Sequence, residues 1–305
     1  MLLVITNKLV SLYIEIDDLL LDYTNCNQSH CILGHKPRGR KLGLSPSEIA
    51  TILVFYQLSG YKTFQYYYEQ LILGEFNHYF PKAPGYKHFL SLIHKCLPVL
   101  VLWMLRSCEK ALKTGCYFID ATKLPVCHIH RQSQNRVFKD IAAKGKTSTG
   151  WFFGLKLHLV INQFGEIVKF ALTAGNVADN NHNLLRYLLG NLQGKCAADK
   201  GYYTKLFDEF VKQGLQLILK PKKNRKNQYP ALPKDVSLSK KRALIESVND
   251  ILKTVCNLEH TRHRKPENAA THFMAALIAY QHLDKKPSVF IPNENNYTNT
   301  IQFVA

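Results

Sequence analysis

Apolar positions recur at helical spacing through the first 114 residues of the chain. Ser45-Pro46-Ser47-Glu48 sets a Ser N-cap before a Pro at the first helical position, and Glu48 completes a capping box. The predicted helix runs through Ile49, Ile52, Leu53 and Tyr56 and stops at Gly60. A second is predicted from about Thr63 to Phe80, with Pro81, Pro84 and Gly85 as punctuation, and shorter helices follow up to Lys113. The aromatic stripe Phe64, Tyr66, Tyr67 and Tyr68 reads as core packing rather than base stacking.

At Gly115 the pattern changes. Cys116 to Asp120 is an apolar run of strand type ending in a carboxylate, and residues 121–150 are polar and basic. Trp151 to Ile161 and Ile167 to Thr173 read as strands joined by a turn at Asn162-Gln163-Phe164-Gly165. A helix follows at about 180–189, capped by Asp179 or Asn180. Next come a strand at Lys195–Asp199, a helix at Thr204–Lys212 and a strand at Leu215–Leu219. Helices at about Ser239–Cys256 and Pro266–Leu283 close the pattern. Three strands followed by alternating helix and strand is the order of the ribonuclease-H-like fold. The expected class is therefore α/β, a mixed five-stranded sheet with flanking helices, preceded by an all-α region. The chain divides on this reading into 1–114, 115–290 and a tail at 291–305.

Charge narrows the function. Forty Lys and Arg against 22 Asp and Glu leave +18, a self-repulsion that points to a polyanionic partner, nucleic acid before any other. Lys220, Lys222, Lys223, Arg225 and Lys226 concentrate that charge in one run. It is either a solvated loop or a track for DNA backbone, and the DNA reading is preferred. Eight cysteines without a C-x-x-C pair suit a reducing cytosol. No run of about 20 apolar residues is evident, so a cytoplasmic protein with no membrane partner is expected.

Three acids stand in suggestive places. Asp120 and Asp199 end strands, where carboxylates of neighbouring strands converge in the crevice of an open sheet. Either one alone is more simply an acid at a strand-to-loop turn. On the helix through Arg242, Leu244, Val248, Ile251, Leu252 and Val255 fall on one face, while Glu246, Arg242 and Lys253 fall roughly opposite. Glu246 is equally a surface partner of Arg242 at i,i+4 and a metal ligand flanked by phosphate contacts. Lys156 and His158 alternate on a strand, facing a cleft or serving structure. Cys127, His128 and His130, and Cys26, His30, Cys31 and His35, match no common zinc spacing.

Taken in order, these tracts resemble bacterial insertion-sequence transposases of the DDE class, closest to insertion-sequence family 982. The resemblance rests on Tyr117-Phe118-Ile119-Asp120, Gly154-Leu155-Lys156-Leu157-His158, Ala174-Gly175-Asn176-Val177-Ala178-Asp179, Asp199-Lys200-Gly201-Tyr202, and Arg242 through Glu246 to Lys253. Leu44 to Ile49 and Leu58 to Phe64 extend it into the helical part. It implies catalytic acids Asp120, Asp199 and Glu246 holding two Mg²⁺ or Mn²⁺ ions. It also implies phosphate contacts from Arg242, Lys253 and Lys200, and a homodimer acting on terminal inverted repeats and target DNA. Related groups carry a Tyr three positions before the Arg, where this chain has Ser239. Two alternatives stay open: a nuclease of the same fold that cuts without joining, and a catalytically silent DNA-binding derivative.

Overall fold

The computed structural model describes residues 2–26, 43–147, 150–219, 233–259 and 263–291. Two compact units emerge, and they are not sequential. Met1–Lys110, Leu124–Gly154 and Asn249–Asp284 form one; Ala111–Lys123, Leu155–Val248 and Lys285–Ala305 form the other.

The first unit is mainly helical. Helix α1 spans Leu2–Cys26 and α2 spans Pro46–Leu58. The capping box predicted for α2 is present: Ser45 Oγ accepts from the Glu48 N–H at 3.1 Å, and the Glu48 carboxylate accepts from the Ser45 N–H. Gly60 follows at φ +76°, a left-handed turn that a side chain would resist.

The single helix expected at 63–80 is instead a short α3 (Phe64–Tyr67) widening into a π-helical segment, Tyr68–Glu75. Consecutive residues of a regular helix point about 100° apart, yet Tyr67 and Tyr68 are both fully buried. Tyr67 donates to Ile52 O at 2.9 Å and Tyr68 to Pro84 O at 2.7 Å, and the wider turn accommodates both anchors. Tyr66 departs from the core-packing expectation, being 58% exposed.

Helix α4 (Tyr86–Leu92), a 3₁₀ turn (Ile93–Cys96) and α5 (Leu97–Lys110) follow. Contrary to the sequence expectation, Tyr86–Lys110 is long and apolar enough to cross a membrane by length and composition. Val99, Leu100, Trp103 and Met104 of that run are buried in the protein. The last helix in sequence, Pro266–Gln281 (α10 below), packs on α2 and α5. It is buried along nearly its whole length from Asn268 to Tyr280, as befits a helix apolar all round.

The sheet has six strands rather than five. They are β1 (Cys116–Cys127), β2 (Ala143–Thr147), β3 (Gly150–Asn162), β4 (Ile167–Ala174), β5 (Gly194–Ala198) and β6 (Leu215–Leu219). Strand order is β2-β3-β1-β5-β6, with β4 pairing β3 beyond β2. Pairings β2/β3 and β3/β4 are antiparallel, and β1/β5 and β5/β6 parallel. The extra strand β2 lies in the polar, basic tract where an apolar pattern gave no signal. The turn joining β3 to β4 forms as predicted, with Asn162 Oδ1 accepting the N–H groups of Phe164 and Glu166 at 3.0 Å.

On one face of the sheet, Tyr117, Ile119, Cys196 and Ala198 pack with Leu184, Leu185 and Leu188 of α6 (His182–Leu189) and Phe210 of α7 (Phe207–Lys212). The helix expected at 239–256 is two helices, α8 (Pro233–Lys241) and α9 (Ala243–Thr254), broken at Arg242. Leu244, Ile245, Val248 and Leu252 are buried, whereas Val255, expected on that face, is 48% exposed.

Candidate active site

Parallel pairing of β1 and β5 aligns Cys116 with Lys195, Tyr117 with Cys196 and Phe118 with Ala197. That pairing ends at Phe118 and Ala197, two residues short of Asp120 and Asp199. Asp120 remains on β1, and Asp199 lies just past the end of β5 with an extended backbone (φ −74°, ψ 163°).

Asp120 does not end its strand, as the sequence suggested. It stands in the middle of β1, where buried Thr122 and Leu124 continue the alternation beyond the carboxylate. Asp199 is half-buried and precedes a 3₁₀ turn, Lys200–Tyr202, with no cap bond from its side chain. Lys200 is exposed.

Glu246 lies in the first turn of α9, its side chain 58% exposed. It reaches Asp120 through Arg242, whose side chain is 11% exposed. One guanidinium nitrogen sits 3.6 Å from Asp120 Oδ1 and another 2.5 Å from Glu246 Oε1. The break between α8 and α9 is what turns Arg242 inward, off the exposed helix face on which the sequence placed it.

Burial raises the Asp120 carboxyl to about 6, and the negative charges of Glu246 and Asp179 push the same way. Arg242 and the Ala121 N–H oppose the shift without cancelling it. A buried carboxyl held this high marks a place short of positive charge.

Asp179 was missed by sequence reasoning, which cast it as a helix cap. The cap of α6 is Asn181, whose side chain accepts from the Leu184 N–H at 3.1 Å. Asp179 instead accepts from Lys156 Nζ at 2.9 Å, and the same ammonium donates to Val177 O at 2.9 Å. Lys156 is only 8% exposed, so it is the buried counter-charge to Asp179. The available signal was the Lys156/His158 alternation on β3 together with an acid soon after β4.

His158 is fully buried, its Nε2 2.9 Å from Thr173 Oγ1. Burial lowers it to about 4, which keeps it neutral and structural. The Asp-Lys-Gly-Tyr tract closes the other side: a Cβ on Gly201 would sit 3.9 Å from Asp179 Oδ2. Tyr202 Oη is buried with no hydrogen-bond partner among the described residues. Burial, then the charges of Asp120 and Asp179, hold its phenol well above the usual range.

Other expected residues are not brought in. Lys253 gives its ammonium to Glu259 at 2.6 Å. Lys220, Lys222, Lys223, Arg225 and Lys226 lie outside the described residues. Among the described residues, no three Asp, Glu, His or Cys side chains converge closely enough to hold a metal ion. The donors still suit one in kind: Asp120 and Glu246 offer hard carboxylate oxygens, bridged here by the Arg242 guanidinium.

A mixed sheet with this strand order and flanking helices is that of a ribonuclease-H-like domain. Residues 110–266, just over half of the chain, match the family described as Transposase DDE domain. The chain belongs to that family and is a transposase of the DDE class. No curated protein matches it. Domains of this kind generally use divalent metal ions.

Proposed function

We propose that this transposase cuts the ends of an insertion sequence and joins the freed 3′-OH to target DNA, with Asp120, Asp199 and Glu246 as its catalytic acids. The parallel pairing of β1 with β5, with Asp120 on one strand and Asp199 just past the end of the other, supports the reading. The bridge from Asp120 through Arg242 to Glu246 supports the third member. The resemblance to insertion-sequence family 982 belongs to the same proposal, as do terminal repeats and target DNA as substrates and a homodimer on paired ends.

Two Mg²⁺ or Mn²⁺ ions held by these acids would supply positive charge to the entering and leaving oxygens of an in-line displacement. Asp120 offers its oxygens from within a strand and Asp199 from just past the end of one, which limits reorganisation at the reacting phosphate. Glu246 comes from a helix start and is the more exposed member. Arg242 bridges both acids while DNA is absent, then turns its planar fork to a phosphate, which it can grip with two parallel hydrogen bonds. Lys156 keeps Asp179 in place and balances its charge beside Asp120. Lys200, Lys253 and the run from Lys220 to Lys226 are assigned to DNA backbone.

The test is Asp199→Asn. Cleavage of end-containing DNA in Mg²⁺ should vanish while gel-shift binding of the same DNA persists. Equal loss of both would identify a structural residue. Strand-transfer products from the wild-type protein separate this reading from a nuclease that only cuts.

A further inference from the structure

The helical unit carries a groove of about 1150 Å³ that the catalytic reading does not use. Compact ligand sites span roughly 300–1,000 Å³, so this one is at the large end of that range or above it. Its lining comes from α2, α3, the π segment, α4 and the start of α10.

Four exposed cations line it: Lys62, Lys87, Arg264 and Lys265. Among the described residues no carboxylate pairs with any of them. The two acids in the lining are already engaged: Glu259 takes the Lys253 ammonium at 2.6 Å, and Glu69 accepts from the Gln65 amide at 2.9 Å. The groove therefore keeps a net positive charge. Tyr66 offers its ring there at 58% exposure, 5.7 Å from the Tyr61 ring, while its neighbours Tyr67 and Tyr68 are fully buried.

Unpaired cations along a concave track and one exposed aromatic face match the chemistry of single-strand binding. There the backbone follows the charges and a base stacks on the ring. We infer that this groove holds an unpaired stretch of DNA strand. Its phosphates run along Lys62, Lys87, Arg264 and Lys265, and one base lies on Tyr66. This rests on the transposase reading for the identity of the polymer.

Binding of the full chain to a fluorescein-labelled oligothymidylate and to a labelled duplex, both in EDTA, tests the groove apart from catalysis. Tyr66→Ala should weaken single-strand binding about ten-fold and leave duplex binding unchanged. Tyr66→Phe, which keeps the stacking face, should bind like wild type. Lys87→Ala and Lys265→Ala should each flatten the salt dependence for the single strand by about 0.7 in log–log slope. Tyr66→Ala binding the oligothymidylate like wild type, or losing both ligands equally, would overturn the proposal. Because metal is absent throughout, these outcomes are independent of whether Asp199→Asn abolishes cleavage.

Discussion

Replacing Asp120 by Asn should stabilise the metal-free protein while destroying its chemistry. Burial holds the carboxyl at about 6 against an ordinary 3.8. At about 1.4 kcal/mol per pKa unit, the ionised form costs the fold up to about 3 kcal/mol at neutral pH. Asparagine resembles the protonated acid in shape and charge, so the variant escapes that cost. The attraction of Arg242 is already contained in the net shift, and Arg242 keeps Glu246 as a partner.

The sign follows from proton linkage. Between the unfolded and folded values the native state binds more proton than the unfolded chain, so stability falls as pH rises through that window. Wild type and Asp120→Asn should therefore be equally stable near pH 4 and diverge up to about pH 6. Above that, the variant should lead by a constant margin. For a chain of this size the lead amounts to about 3–10 °C in Tm. Differential scanning fluorimetry across pH in EDTA measures it. Added Mn²⁺ should raise the wild-type Tm and leave the variant unmoved, because only the folded wild type gains a ligand. A variant less stable than wild type at pH 7 without metal, with no pH-dependent difference between them, would refute the argument.

Three further outcomes are expected. Gly194 sits at φ +107°, where a Cβ would lie 2.1 Å from Gly115 O, so Gly194→Ala should cost about 3 kcal/mol or more by chemical denaturation and disturb the start of the β1/β5 pairing. Ser45→Ala removes the capping box of α2 and should cost about 1 kcal/mol in the same assay. Lys156→Met leaves Asp179 without its buried ammonium and should cost about 2 kcal/mol, with Lys156→Arg recovering part of it.

Regular elements were legible because their signals are local. The capping box at Ser45 needs only four consecutive residues, and β3 and β4 announce themselves by apolar runs around a Gly-containing turn. The break at Arg242 was not legible, since Ser239 to Cys256 is acceptable as one helix by composition. Strand β2 was hidden for the opposite reason: Ala-Lys-Gly-Lys-Thr has no apolar pattern, and pairing with β3 supplies what its side chains do not. Asp120 was misplaced within its element because an acid after an apolar run looks like an end. Thr122 and Leu124 carry on the alternation only weakly.

What the sequence determined by itself was which residues had chemistry to offer: an acid on each of two strands, an Arg and a Glu four apart, and a chain far too basic to avoid polyanions. Tertiary structure decided who faces whom. Parallel pairing set β1, which carries Asp120, beside β5, which Asp199 follows, and Arg242 at the helix break contacts both Asp120 and Glu246. Capping by Asn181 rather than Asp179 gave Lys156 its partner. The reason is physical: spacing along a chain sets which face of an element a side chain occupies, while burial and pairing between elements set the dielectric and the counter-charge it meets.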